Sequence, residues 1–204
     1  MNRFNLIVAE GHWDNYSNDT VKGLFDLLSD LFRSKSNGYK YVQFADPAGF
    51  DSCLKLIHDD KAHKYLYIGS HGDDTGIHGA SNAKCLTFTS IKNRIGPYKG
   101  LFLGTCSFGK EETLIKFVRE SNLTWCAGYK HDIDWLDSSG LDLAFWKIFQ
   151  SYNTKGRKKS ELSMIEETVR ELQHKYSSLI LELGFNVAIR YTDEDGIERV
   201  GTAY

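Results

Sequence analysis

A chain of 204 residues, 41% hydrophobic and 25% charged, has the balance of a folded globular protein and is long enough for one α/β domain with a substantial core. Its formal net charge of −2 lacks the broad positive field of phosphate-backbone binders, and no apolar run reaches the roughly 20 residues that span a bilayer. Neither nucleic acid nor membrane is an expected partner, and residues 1–204 are expected to form a single domain. The four cysteines (Cys53, Cys85, Cys106 and Cys126) make no C-x-x-C pair and the N-terminus carries no hydrophobic leader, so reduced thiols and a cytoplasmic protein are expected.

Along the chain, "FNLIVAE" (4–10) reads as a buried strand, followed by a helix in which Val21, Leu24, Phe25, Leu28, Leu31 and Phe32 recur at spacings of three and four, with Asp19 or Thr20 at its start. "YKYVQFA" (39–45) is a second strand. After a turn at Asp46-Pro47, Phe50, Cys53, Leu54 and Ile57 mark a short helix leading to the strand "KYLYIGS" (64–70). Residues 76–91 read as an excursion of turn and strand, "CLTFTSI" supplying the strand. "KGLFLGT" (99–105) is the next apolar strand, "EETLIKFVRES" (111–121) a helix with acidic residues in its first turn, and "LTWCAGY" (123–129) a further strand. Two helices follow, over 139–152 and 160–183. The second carries a stripe of Leu162, Ile165, Val169, Leu172, Tyr176, Leu179 and Leu183. The C-terminus reads as a hairpin turning at Asp195-Gly196. Strands alternating with helices imply a largely parallel sheet covered on both faces, with the hairpin at an edge.

Two of these strands end on reactive side chains. "YLYIGSHGDD" runs into His71 and "GLFLGTCSFG" into Cys106. Ligands of open α/β sheets gather beyond the carboxyl ends of strands, so His71 and Cys106 meet in one crevice if their strands are neighbours. The chemistry suits the pair. Thiolate is the nucleophile, and a nearby imidazole raises its fraction or removes the proton. The N–H groups of Gly72 and Cys106 are suited to hold the oxyanion formed on attack, because glycine leaves the approach open.

The residues "SHG" and "GTCSFG" resemble the caspase-like cysteine peptidases, a family that includes caspases, metacaspases, gingipains, separase and the CHAT proteins. The likeness extends more weakly over about residues 4–150. It implies a three-layer α/β sandwich with a mostly parallel central sheet, helices on both faces and an antiparallel edge hairpin. It also implies catalytic His71 and Cys106, an oxyanion hole of Gly72 and Cys106, and a protein or peptide substrate. "GTCSFG" differs from the caspase Q-A-C-x-G sequence, which points to a compact bacterial-type or CHAT-like relative, and the resemblance alone suggests a regulated role such as defence or cell death. Caspases place an arginine for substrate aspartate in the loop after the first strand. The corresponding "EGHWDNYSND" has none, so Glu10, Asp14, Asp132 and Asp134 are the expected substrate-binding residues, with Asp19 and Asp137 nearby, and cleavage after Arg or Lys is expected. Trp13 and Trp135 are candidate pocket walls.

Three rival readings compete with this one. A zinc site of His71, His78, Cys85 and Cys106 lacks the tight ligand pairs of structural sites, and no calcium loop is recognisable, so no cofactor is expected. His78, also followed by glycine, is the competitor to His71. A catalytically silent interaction module and a small-molecule acyl hydrolase are the remaining alternatives, since fold does not dictate activity. The basic stretch "KGRKK" (155–159) reads as a solvated linker and, if the pocket takes basic residues, as a point of self-cleavage.

Overall fold

The computed structural model describes residues 5–13, 19–31, 38–58, 63–79, 84–154 and 159–203. In chain order these form β1 (Leu6–Gly11), α1 (Lys22–Leu31), β2 (Lys40–Phe44), α2 (Pro47–His58), β3 (Tyr65–Gly69), β4 (Gly72–Asp73), β5 (Gly76–His78), β6 (Lys84–Leu86), α3 (Phe88–Lys92), β7 (Gly100–Gly104), α4 (Glu111–Arg119), β8 (Trp125–Tyr129), α5 (Trp135–Thr154), α6 (Glu161–Leu183), β9 (Phe185–Thr192) and β10 (Glu198–Thr202). Seven strands make one sheet in the order β10-β9-β8-β7-β3-β1-β2, and β4, β5 and β6 make a small separate sheet. The pairs β2–β1, β1–β3, β3–β7 and β7–β8 are parallel, while β9 and β10 are antiparallel additions at one edge.

The five residues of β3, of β7 and of β8 are all buried, as expected of strands covered on both faces. Alternate residues then feed two cores. Tyr65, Tyr67, Phe102, Trp125, Ala127 and Tyr129 pack with α1, α5 and α6 on one side, and Leu66, Ile68, Leu101, Leu103 and Cys126 pack with α2, α3 and α4 on the other. The result is the three-layer sandwich with a mostly parallel sheet and an edge hairpin that the sequence led us to expect.

Local chemistry explains where elements start and where they differ from expectation. Pro47 does not merely turn the chain. It is the first residue of α2, where its missing N–H costs nothing, and the Asp46 carboxylate accepts the Gly49 N–H at 2.7 Å. The excursion expected as turn and strand over 76–91 does contain strand at Gly76–His78 and Lys84–Leu86, but "FTSI" at its end opens the short helix α3, because Thr87 and Ser90 form a reciprocal capping box. α5 begins at Trp135 rather than 139, since Asp134 Oδ1 accepts the Leu136 and Asp137 N–H groups at 2.8 and 3.1 Å. The expected stripe of α6 packs on the core at Leu162, Ile165, Val169, Leu172, Leu179 and Leu183 and is interrupted at Tyr176. Tyr176 has non-helical torsions (φ −134°, ψ 27°) and is exposed, and Ile180 is buried beyond it. Most of "KGRKK" lies outside the described residues. Among the described residues, no helix is long and apolar enough to cross a membrane.

Candidate active site

β3 and β7 pair with Gly69 opposite Gly104, so the chain leaves both strands from level positions. Two residues further on, each presents its reactive side chain, His71 from one strand and Cys106 from the other. The Ser70 N–H donates to Gly104 O at 3.4 Å and carries the pairing one step past the strands. His71 and Cys106 line one cavity of about 160 Å³, together with Trp13, Trp135, Thr105 and Asp142. The imidazole is exposed and the thiol half-buried.

Each loop is braced from behind. The histidine loop folds into the β4–β5 hairpin, where the His78 N–H donates to His71 O at 2.8 Å and Ser70 Oγ donates to His78 O at 2.8 Å. The His78 ring sits 3.0 Å from Asp73 Oδ2 and does not line the cavity. His78 is thus a strut of the loop that carries His71. On the other side, Ser107 is the one described non-glycine residue with positive φ (56°), a conformation that persists only where the surroundings over-determine it. The constraint is visible. The Phe108 N–H donates across it to Cys106 O at 2.6 Å, while the N–H groups of Ser107 and Gly109 donate to His131 O and Tyr129 O at 3.0 and 2.8 Å.

The backbone after His71 runs against the backbone of the cysteine loop. A Cβ on Gly72 would stand 3.1 Å from Cys106 O and 3.1 Å from Thr105 Cβ, so glycine is what permits this approach. Gly104 clears space of another kind. A Cβ there would lie 2.1 Å from the Tyr67 hydroxyl, and it is this hydroxyl that donates to Asp142 Oδ2 at 2.7 Å.

Asp142 was not among the acids picked out in the sequence. It lies on α5, is 3% exposed, and accepts the Tyr129 hydroxyl on its other oxygen. Burial pushes its carboxyl up to about 7, against the opposing pull of the two tyrosine hydrogen bonds. Thr105, which also lines the cavity, is fully buried, and its hydroxyl has no hydrogen-bond partner among the described residues.

The acids expected to bind substrate lie elsewhere. Glu10 is corrected from ligand to internal brace. It is fully buried, and its carboxylate accepts the Val21 N–H at 2.7 Å, Thr20 Oγ1 at 2.7 Å, the Trp13 indole N–H at 2.5 Å and the Tyr41 hydroxyl. Through that network it ties the start of α1 to Trp13. Asp134 caps α5, and Asp132 accepts the Ser107 hydroxyl at 2.8 Å; neither lines the cavity. Asp14 lies outside the described residues. Trp13 and Trp135 do wall the cavity, their rings meeting edge to face with centroids 4.6 Å apart, and Trp13 meets the His71 ring in the same way at 5.2 Å. Among the described residues, no group of three or more His, Cys, Asp or Glu side chains is placed to hold a metal ion, and the Cys85 side chain is outside that description.

No protein-family model and no curated protein matches this chain. Among solved structures, the chain is similar to the Arg-specific cysteine proteinase gingipain R, with a TM-score of 0.56 and 9% sequence identity. The fold is caspase-like. The likeness covers 87% of this chain and 43% of the proteinase, so the chain spans less than half of its length. At that identity the comparison concerns architecture, an α/β sandwich that in gingipain R serves a cysteine proteinase.

Proposed function

We propose that residues 1–204 form one cysteine endopeptidase unit that cleaves a protein or peptide substrate after Arg or Lys. Cys106 is the nucleophile and His71 the general base. His71 takes the thiol proton as Cys106 Sγ attacks the carbonyl carbon. The C–S bond forms, and the negative charge moves to the carbonyl oxygen, held by the N–H groups of Gly72 and Cys106. Collapse breaks the C–N bond, the proton passes from His71 to the leaving amine, and water, deprotonated by His71, hydrolyses the thioester.

One observation carries this reading. A histidine and a cysteine stand at equal distance beyond paired residues of two adjacent parallel strands and share one cavity. Parallel neighbours lie about 4.8 Å apart, so level positions two residues on leave the side chains within reach of a common reacting carbonyl. The caspase-like fold agrees with it. The preference for a basic residue is supported by the cavity lining, which includes a carboxyl group and, among the described residues, no lysine or arginine.

Turnover of fluorogenic peptides differing only at the cleaved residue tests the proposal. Release after Arg or Lys, abolished by Cys106→Ala and strongly reduced by His71→Ala, is the expected result. Preferred release after Asp refutes the basic pocket, and activity that survives Cys106→Ala refutes the nucleophile.

A further inference from the structure

The cavity beside Cys106 runs from the exposed His71 and Trp135 inward to the buried Tyr67 and Asp142. Cys106 lines this space, so a residue whose carbonyl is attacked there has the cavity within reach of its side chain. At about 160 Å³ the space takes one side chain. Its walls are aromatic, Trp13 against Trp135, and suit a methylene stem carrying a cation.

The inner end holds polar capacity that the protein leaves unused. An ionised carboxylate offers about four lone-pair sites. Tyr67 and Tyr129 occupy one on each oxygen of Asp142, and one on each remains. The Thr105 hydroxyl has no hydrogen-bond partner among the described residues. Buried polar groups are ordinarily satisfied, so an unpartnered Thr105 hydroxyl and a buried carboxylate with spare acceptor capacity, both lining the cavity that reaches the nucleophile, point to a ligand that completes them.

We propose that Asp142, assisted by Thr105, reads the side chain on the acyl side of the cleaved bond, and that it accepts a cationic side chain only while ionised, which gates the basic preference by pH. The proposal rests on the peptidase reading above and names the residue and the condition for its specificity. An ammonium or guanidinium entering the cavity finds a buried counter-charge and a free hydroxyl acceptor. An uncharged side chain of equal size leaves both unsatisfied and forfeits the interaction.

The ionisable groups facing Asp142 are the Tyr67 hydroxyl from β3, the Tyr129 hydroxyl from β8 and, along the cavity, His71 and Cys106. Glu10 of β1 lies beyond Tyr67. Desolvation holds the Asp142 carboxyl at about 7, so its ionised share rises steeply across neutrality. Apparent affinity scales with the competent fraction, so a cation gains about tenfold between pH 6 and pH 8.

The test is binding without turnover. The Cys106→Ala protein is titrated with N-acetyl-lysine methylamide and with its uncharged counterpart N-acetyl-norleucine methylamide, following tryptophan fluorescence at pH 6 and pH 8. The lysine ligand is expected to bind about tenfold more tightly at pH 8, the norleucine ligand equally at both, and Asp142→Asn is expected to remove the preference together with its pH step. Thr105→Val, which is nearly isosteric, is expected to weaken the lysine ligand severalfold and leave the pH step in place. Equal binding of the two ligands, or a pH step that survives Asp142→Asn, overturns the proposal.

A lysine chloromethyl ketone on the wild-type protein separates this result from the peptidase reading. Lysine binding at pH 8 without an adduct on Cys106 refutes the peptidase and keeps Asp142 as a cation site. Adduct formation as rapid with a norleucine ketone refutes Asp142 as the reader and keeps the peptidase.

Discussion

Two cavities of this molecule differ in a way that size does not describe. The larger, about 610 Å³, lies between α2 and the segment after α3 and contains Asp51 and Arg94. There the charges answer each other, with Arg94 Nε and Nη2 both bonded to Asp51 and Nη1 donating to Ser90 O. The smaller, about 160 Å³, contains His71, Cys106, Thr105 and Asp142, whose chemistry the fold leaves open. A large apolar pocket is the usual first guess for a site. Here the chemistry gathered in one lining, an imidazole, a thiol, a buried carboxyl and a hydroxyl without a partner among the described residues, marks the site better than volume does.

The comparison breaks most directly under mutation. Cys106→Ala is expected to abolish peptide turnover, and His71→Ala to reduce it roughly 10²–10⁴-fold, the range for loss of a positioned general base. Asp51→Ala, in the larger cavity, is expected to leave turnover unchanged and to cost about 0.5–1 kcal/mol of stability, because the pair it breaks is partly exposed. A steady-state assay alongside thermal denaturation of the three variants distinguishes these outcomes. Turnover lost in Asp51→Ala with an unchanged melting curve would move the site to the other cavity.

Gly104→Ala sharpens the comparison from within the smaller cavity. The new methyl meets the Tyr67 hydroxyl, which is fully buried and has nowhere to retreat. Overpacking of this kind costs roughly 1–3 kcal/mol. Because Tyr67 donates to Asp142, the variant is also expected to lose preference for lysine-ended over norleucine-ended peptides. A melting curve and a selectivity ratio together check both parts.

The smallest expected effect is on stability against pH. The Asp142 carboxyl holds its proton to about pH 7 in the folded chain, whereas an ordinary aspartate releases it near pH 4. Between those values the unfolded chain binds fewer protons than the native one, so this group's contribution to stability falls as pH rises. Asp142→Asn removes the dependence. The melting temperature of the variant relative to wild type is therefore expected to climb from pH 4.5 to pH 8, and a difference that stays flat or falls would contradict the burial argument.

Much of this could be read in the amino-acid order, and the failures have specific physical causes. The strands ending at His71 and Cys106 announced themselves by apolar runs closed with glycine, whereas their adjacency, a condition in the sequence, is settled by the β3–β7 pairing. "FTSI" misled because its β-branched and aromatic residues favour a strand, while the Thr87–Ser90 cap decides for a helix. The acids were misjudged because closeness to a loop in sequence does not say which way a carboxylate faces. Glu10 ends a strand buried on both faces and turns inward, and Asp134 is consumed in starting α5. Asp142 left a signal of its own in "LDLAFWKIF", where a single carboxylate shares an apolar helix face with Phe145 and Trp146. A charge at that spacing needs a partner or a purpose.

The central claim is that His71 makes Cys106 the nucleophile, and intact-mass analysis tests it most directly. Wild type, Cys106→Ala and His71→Ala are each incubated with a peptide electrophile ending in lysine, and adduct formation is followed in time. The account predicts one adduct in the wild type, on Cys106, absent in Cys106→Ala and slowed roughly 100-fold or more in His71→Ala. Modification of Cys53 at a comparable rate, or a Cys106 rate indifferent to His71, would contradict it.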